Sequence, residues 1–297
     1  MDKQNAGMTV AQRKGKKQSF VKELWRRLRR NKSAVVALCV IVVFILIALS
    51  TPLWCPFDKV IAQNIDSRLQ FPGRDSWFGT DIYGRDLFSR MMYGARISMF
   101  IGFVVAFFQF TIGGTLGAVA AYVGGYVENI IMRSMDVLTT IPHTLLVLAI
   151  VAALGPSMTN LLLAITIACI PGMTRIMRAM MLTVVEMEYV EAARACGTRT
   201  PRIIIRHVLP NGIGPIIVQT TGTISGTILI AAGLSYIGLG VQPPTPEWGY
   251  MLSEGREYML THPYLMIFPG CAIVIAALSF ELLGDGLRDA LDPRLKD

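Results

Sequence analysis

The chain has 297 residues, 53% of them hydrophobic and only 16% charged, where soluble domains carry about 25% charge. That balance points to lipid rather than water as the solvent. The net charge of +8 is not a binding face. Residues 1–33 hold eleven Lys and Arg against Asp2 and Glu23, whereas the rest of the chain holds 17 basic and 18 acidic residues. A nucleic-acid partner is therefore not expected; a basic flank beside a membrane segment is.

In chain order, residues 34–49 are sixteen consecutive apolar residues, close to the ~20 that cross a bilayer. The charged region ahead of them is longer than that of a signal peptide, and no convincing small-residue cleavage site follows Ser50, so an uncleaved first span is expected. Charge-free stretches follow at 97–127, 137–174, 207–246 and 258–280, of 31, 38, 40 and 23 residues. The second is too long for one span. Gly155-Pro156 near its middle is a turn signal that divides it into a helical hairpin. The third loses helical character in VQPPTP, residues 241–246, and holds one span. The expectation is an all-α membrane protein with six transmembrane helices, because backbone groups in lipid must be paired within their own segment.

Lys and Arg counts orient the spans. With the N-terminus inside, inner segments hold 21 basic residues and outer segments six, which predicts that both termini are cytoplasmic. The chain then divides into a basic cytoplasmic tail (1–33), a first span with an extracytoplasmic loop and interfacial helix (34–96), a five-span core (97–283) interrupted by a cytoplasmic loop (184–212), and a cytoplasmic C-terminal tail (284–297).

Little in the sequence can do covalent chemistry. There is no GK[ST] phosphate loop, and GLSYI at 233–237 misses the last Gly of GxSxG. Cys39, Cys55, Cys169, Cys196 and Cys271 form no CxxC pair, which argues against a disulfide framework or a zinc site. His143, His207 and His262 are too scattered to predict a metal site. No enzyme activity, metal or resident cofactor is expected.

The informative segment is EYVEAARACGTRTPRIIIRHVLPN, residues 188–211. Val184, Met187 and Val190 recur at helical spacing with acids between them. Gly197 is a helix stop, and Thr200-Pro201 has the form of a new helix start. A short amphipathic helix, a tight turn and a second helix are predicted, with Ala192, Ala193 and Ala195 giving a surface thin enough for close docking. By physics alone the segment serves equally well as a solvated loop.

The same residues resemble the EAA loop of ABC-importer permease subunits. Glu191-Ala192-Ala193, Gly197 and Leu209-Pro210 stand at the family spacing, and His207 replaces the usual Ile. RHVLPN is the form of the peptide and nickel branch. WFGTDIYGRDLFSRMMYGARIS (77–98), QPPTPEWG (242–249) and GDGLRDALDPRL (284–295) resemble the C-type, dipeptide-like subunits of that branch. Gly79, Asp81, Gly84, Arg85, Asp86, Ser89 and Arg90 are the matching positions in the first. Each has a plainer reading. Residues 84–96 fit a helix at the outer interface with Arg85, Arg90 and Arg96 near headgroups, and residues 284–292 fit a solvated helix end with an Arg288–Asp292 pair.

The resemblance implies a type I ABC-importer permease fold in a bacterial-type inner membrane, with peptide as cargo. It implies as partners a second homologous permease subunit, two ABC ATPase subunits that bind the ATP and Mg, and an extracytoplasmic substrate-binding protein. It makes Glu191, Ala192, Ala193, Gly197, Leu209 and Pro210 the ATPase-coupling residues. Gln219, Gly222, Thr223 and Gly226 share one face of the fifth span. Gln219 and Thr223 are its pathway-lining candidates, with small-residue helix packing the favoured alternative. A nickel or metallophore importer and an ion-driven secondary transporter are the rival functions. For the latter His143 is the lone candidate inside the spans.

Overall fold

The computed structural model describes residues 20–185, 187–198, 200–203 and 213–291, which contain helices and no named β-strand. Helix α1 (Phe20–Leu28) leads into α2 (Lys32–Trp54), which starts on an Asn31 cap whose side chain accepts from the Ala34 N–H at 3.2 Å. The face of α2 turned inward is made largely of small residues: Ala34, Ala37, Ala48 and Thr51, with Ile41. Val36, Val43, Leu46, Leu49 and Leu53 point outward. Large apolar groups outside and small ones inside is the arrangement of a lipid-facing helix, where close backbone approach rather than apolar burial favours packing.

Residues 55–86 fold back over the end of the bundle through α3 (Phe57–Ile61). The turn at Gly84 adopts φ +73, and a Cβ there would lie 1.7 Å from the Asn64 carbonyl oxygen, so only glycine closes it. Asp86 caps α4 (Leu87–Phe108), accepting from the Ser89 N–H at 2.8 Å. A π turn (Gln109–Gly113) joins α4 to α5 (Gly114–Val123), giving one 37-residue span. The helix therefore starts ten residues before the first charge-free position and carries two charges there, Arg90 buried in protein and Arg96 exposed.

After Gly124-Gly125, both at positive φ, come α6 (Gly125–Thr139) and α7 (His143–Leu154), bent by 84° at residues 140–142. Twelve residues of α7 reach only about 18 Å, too short to cross a bilayer alone, and α6 and α7 together have the length and composition of one span broken at the bend. Gly155, at φ +89, ends α7 and turns the chain into α8 (Met158–Val185), the hairpin expected at Gly155-Pro156. The small helices α9 (Glu188–Ala195) and α10 (Thr200–Ile203) follow, then α11 (Ile213–Tyr236), α12 (Trp248–Gly255) and α13 (Tyr264–Leu291). Among the described residues five helices are long and apolar enough to span, six counting the bent pair.

Three apolar clusters hold the bundle. One joins α2, α4, α11, α12 and α13 around Trp248, Met91, Ile228 and Phe280. A second joins α4, α7, α8 and α11 around Ile101, Val147, Leu161 and Ile165. The third lies at the α9 end, where Met177, Met181, Val184, Val190, Ile203 and Ile216 meet. The end of α13 is packed on one side: a Cβ on Gly286 would lie 2.2 Å from the Ala34 Cβ, and one on Gly284 3.2 Å from Thr221 Oγ1. Asp285, Arg288 and Asp289 on its other side are exposed, so the plainer reading of residues 284–292 holds for that side alone. Asp292 lies outside the described residues.

Candidate coupling loop and translocation face

The coupling loop is built from the end of α8. Backbone bonds from the Met187 N–H to Val184 and from the Val190 N–H to Met187 start α9 immediately. Val190 is the anchor of this helix. It is fully buried against Met181, Val184, Ile203 and Ile216, with Ala193 half-buried beside it. Glu188, Glu191, Ala192 and Ala195 are exposed. The helix therefore presents two carboxylates and two methyl groups on the surface away from the bundle.

Gly197 stops it in the left-handed region at φ +72, and the Thr198 N–H bonds back to the Ala193 carbonyl at 3.1 Å. That six-residue closure with glycine is the Schellman ending. Nothing lies within 4 Å of a Cβ on Gly197, so backbone angle, not space, selects glycine. Helix α10 then begins at Thr200-Pro201. Leu209 and Pro210, the last expected coupling residues, lie outside the described residues, as does His207.

On α11, Gln219 is half-exposed and lines a cavity of about 440 Å³ with Ile176, Gly214, Pro215, Val218, Arg288 and Leu291. Thr223 is placed differently. It is buried, and its hydroxyl donates to the Gln219 carbonyl of its own helix at 2.9 Å. Gly222 and Gly226 have nothing within 4 Å of an added Cβ. GTISG thus divides between two sides: Ser225 is buried and its hydroxyl donates to the Ala277 carbonyl of α13 at 2.9 Å, which is the small-residue packing expected, while the side of α11 that carries Gly222 and Gly226 is open. His143 begins α7, half-buried, with its Nε2 3.4 Å from Cys169 Sγ.

The opposite end of the bundle carries a charge constellation that the sequence did not reveal. Arg85 Nε donates to Asp81 Oδ2 at 2.6 Å and its Nη2 to Glu254 Oε1 at 2.7 Å. Arg90 Nη1 donates to both Asp81 and Glu254. All four side chains are buried. Burial works against the Arg85 charge, but Glu254 and Asp81 outweigh it and hold its pKa above the ordinary arginine value. Arg85 and Arg90 therefore face carboxylates inside the protein, not lipid headgroups as the interfacial reading expected; Arg96 is exposed, near the Tyr93 ring.

Beside this quartet, Glu247 caps α12, accepting from the Gly249 and Tyr250 N–H groups at 3.0 Å each. It is fully buried, and burial pushes its pKa up against the opposing hydrogen bonds of Gly249, Ser235, Tyr250 and Ser98. Trp248 Nε1 donates to the Met91 carbonyl at 3.0 Å, and Gly249 packs so closely on Ala232 that a Cβ would lie 2.2 Å from its oxygen. Quartet, cap and tryptophan clamp α12 onto α4 and α11. An acid directly before Trp-Gly is a readable cap signal; the pairing of Glu254 is not, because its partners lie more than 160 residues away.

A bundle of long apolar helices with a helical loop at one end is the architecture of an integral membrane protein. Residues 113–297 match the family model of the binding-protein-dependent transport system inner membrane component, and residues 19–72 match that of the N-terminal TM domain of oligopeptide transport permease C. The chain is 44% identical to the dipeptide transport system permease protein DppC of Alkalihalophilus pseudofirmus over 93% of this chain and 90% of that one. It is 42% identical to the glutathione transport system permease protein GsiD of Pectobacterium atrosepticum over 93% and 91%. A solved inward-facing structure of the MetNI methionine ABC transporter shares the fold, with a TM-score of 0.54 and 18% identity over 69% of this chain and 98% of that one.

The chain belongs to the binding-protein-dependent transport system inner membrane components, the permease subunits of ABC importers. It is a multi-pass membrane protein of the inner membrane and a transport component rather than an enzyme.

Proposed function

We propose that this chain forms half of a translocation pathway for peptides, di- or oligopeptides, across the inner membrane. The observation that supports this is the 44% identity, over nearly the whole length, to a permease whose name gives dipeptide as cargo. The other half is a second homologous permease subunit, and an extracytoplasmic binding protein delivers the cargo. Two ATPase subunits bind ATP and Mg, and one of them docks on α9 of this chain. The excess of basic residues in the inner segments supports a cytoplasmic position for α9 and both termini.

The mechanism follows from the loop. Glu191, Ala192, Ala193 and Gly197, with Leu209 and Pro210, form the ATPase contact. Val190 ties that contact to α8 and α11, so displacement of α9 is transmitted to the helices that carry the open face of Gln219, Gly222 and Gly226. A rigid element with two packed positions is enough to switch the access of that face. The cargo is tested by uptake of a labelled dipeptide in cells with and without this chain, in competition with a longer peptide, glutathione and nickel. Loss of dipeptide uptake without the chain, with competition by peptides only, is expected. Competition by nickel alone would replace the peptide reading with the metal one.

A further inference from the structure

Helix α1 divides its charges between two faces. Arg27 is turned inward: its Nη2 pairs with Glu23 at 2.7 Å and its Nη1 donates to the Ala290 carbonyl of α13 at 3.4 Å. Leu28, beside it, is buried and faces Gly286. The only described acid of α1 is therefore spent on the side that packs against the bundle. Arg26, Arg29, Arg30 and Lys32 are exposed and have no acidic partner among the described residues. Trp25 is 46% exposed within the same patch. Lys32 is also the first residue of α2, so the patch sits where the first span enters the bilayer.

We propose that Trp25, Arg26, Arg29, Arg30 and Lys32 form a binding surface for the phosphate headgroups of anionic lipid. Four cations without an acid, at the depth where headgroups lie, attract anionic lipid. An amphipathic ring at that depth rests in the interface, with its apolar part toward the acyl chains. The hydrogen bond of Arg27 to Ala290 and the packing of Leu28 beside Gly286 tie this platform to α13: a headgroup held on α1 also holds the end of the last span. The proposal rests on α2 crossing the bilayer and not on the cargo or on the coupling role of α9.

The test uses the full chain in its assembled importer, in nanodiscs of phosphatidylcholine mixed with phosphatidylglycerol, with retained lipids counted by native mass spectrometry. The wild type is expected to retain phosphatidylglycerol preferentially, and less of it as salt is raised. The triple variant R26Q/R29Q/R30Q should lose at least tenfold of that preference, since each such charge is worth about fivefold near an anionic surface. The variant R26K/R29K/R30K should restore most of it. Equal retention of both lipids by the wild type overturns the proposal, and so does a salt-independent preference. Inorganic phosphate displacing the lipid completely would make the patch a free-anion site. Loss of the ATPase subunits from the triple variant with lipid retention unchanged would make it a protein contact. If the triple variant melts below the wild type, the salt dependence of the wild type decides alone.

Discussion

Arg90, at the start of α4, donates to Glu254 of α12 at 2.6 Å across 164 residues of sequence, and both are buried. Neither group can reach water to recover if the other is lost. Replacing Glu254 with Ala leaves Arg85 and Arg90 sharing Asp81 alone. Removal of one partner from a buried ionic set costs about 3–5 kcal/mol, so Glu254→Ala is expected to lower the melting temperature of the purified complex by many degrees. A melting curve superimposable on the wild type would show that the quartet contributes nothing to stability.

Glu247 supplies a pH dependence. Its pKa is raised by burial above the usual 4.5, so the folded chain holds the proton more tightly than the unfolded one. The stability this contributes is complete below about pH 4.5 and is lost as pH rises through the raised value. Glu247→Gln removes the titration. The melting temperature of the wild type relative to Glu247→Gln should therefore fall as pH rises above about 4.5, until the raised value is passed. A difference that stays flat, or rises with pH, contradicts the assignment.

Gly197 separates backbone from bulk. Its surroundings are open but its φ is +72, so Ala there costs about 1–2 kcal/mol of left-handed strain. Gly197→Val should uncouple ATP hydrolysis from transport in the assembled importer, while Gly197→Asn, which tolerates that region, should retain most of it. Substrate-stimulated ATPase activity is the measurement. Full coupling in the Val variant would remove α9 from the pathway of force.

Gly222 and Gly249 make a contrasting pair. Space is open around Gly222, whereas a Cβ on Gly249 meets the backbone of Ala232 at 2.2 Å. Gly249→Ala should therefore reduce folded yield and melting temperature. Gly222→Leu should leave the melting temperature of the isolated chain near wild type and depress uptake, because it enters the face left for cargo or for the second permease subunit. The reverse pattern in detergent melting and uptake assays would exchange the two roles.

Much of the fold was legible because lipid imposes a coarse rule: a span must lack unpaired charge. The hairpin at Gly155-Pro156 and the helix–turn–helix around Gly197 followed from that rule and from glycine geometry. The rule failed where helices carry charge near their ends. Arg90, buried in protein, and the exposed Arg96 hid the first ten residues of α4, and Glu128 and Asp136, in partly exposed pairs with Arg178 and Arg175 of α8, hid α6. The quartet was unreadable, since nothing local in Asp81 or Glu254 records a partner on a distant helix. On α11, spacing placed Gln219 and Thr223 on neighbouring positions, but the hydroxyl of Thr223 turns back to its own backbone, a choice that helical periodicity does not encode.

The contact between Ala34 and Gly286 joins the beginning of the first span to the end of the last. During synthesis, α2 enters the bilayer before its principal partner α13 exists. Its small-residue stripe must then lie against acyl chains until the remaining spans have been made. The large side chains on its other faces keep it inserted through that interval without a protein neighbour. Closure of the bundle is therefore a late event, and a chain interrupted before residue 286 is expected to be embedded but unassembled, a substrate for membrane quality control rather than for complex formation.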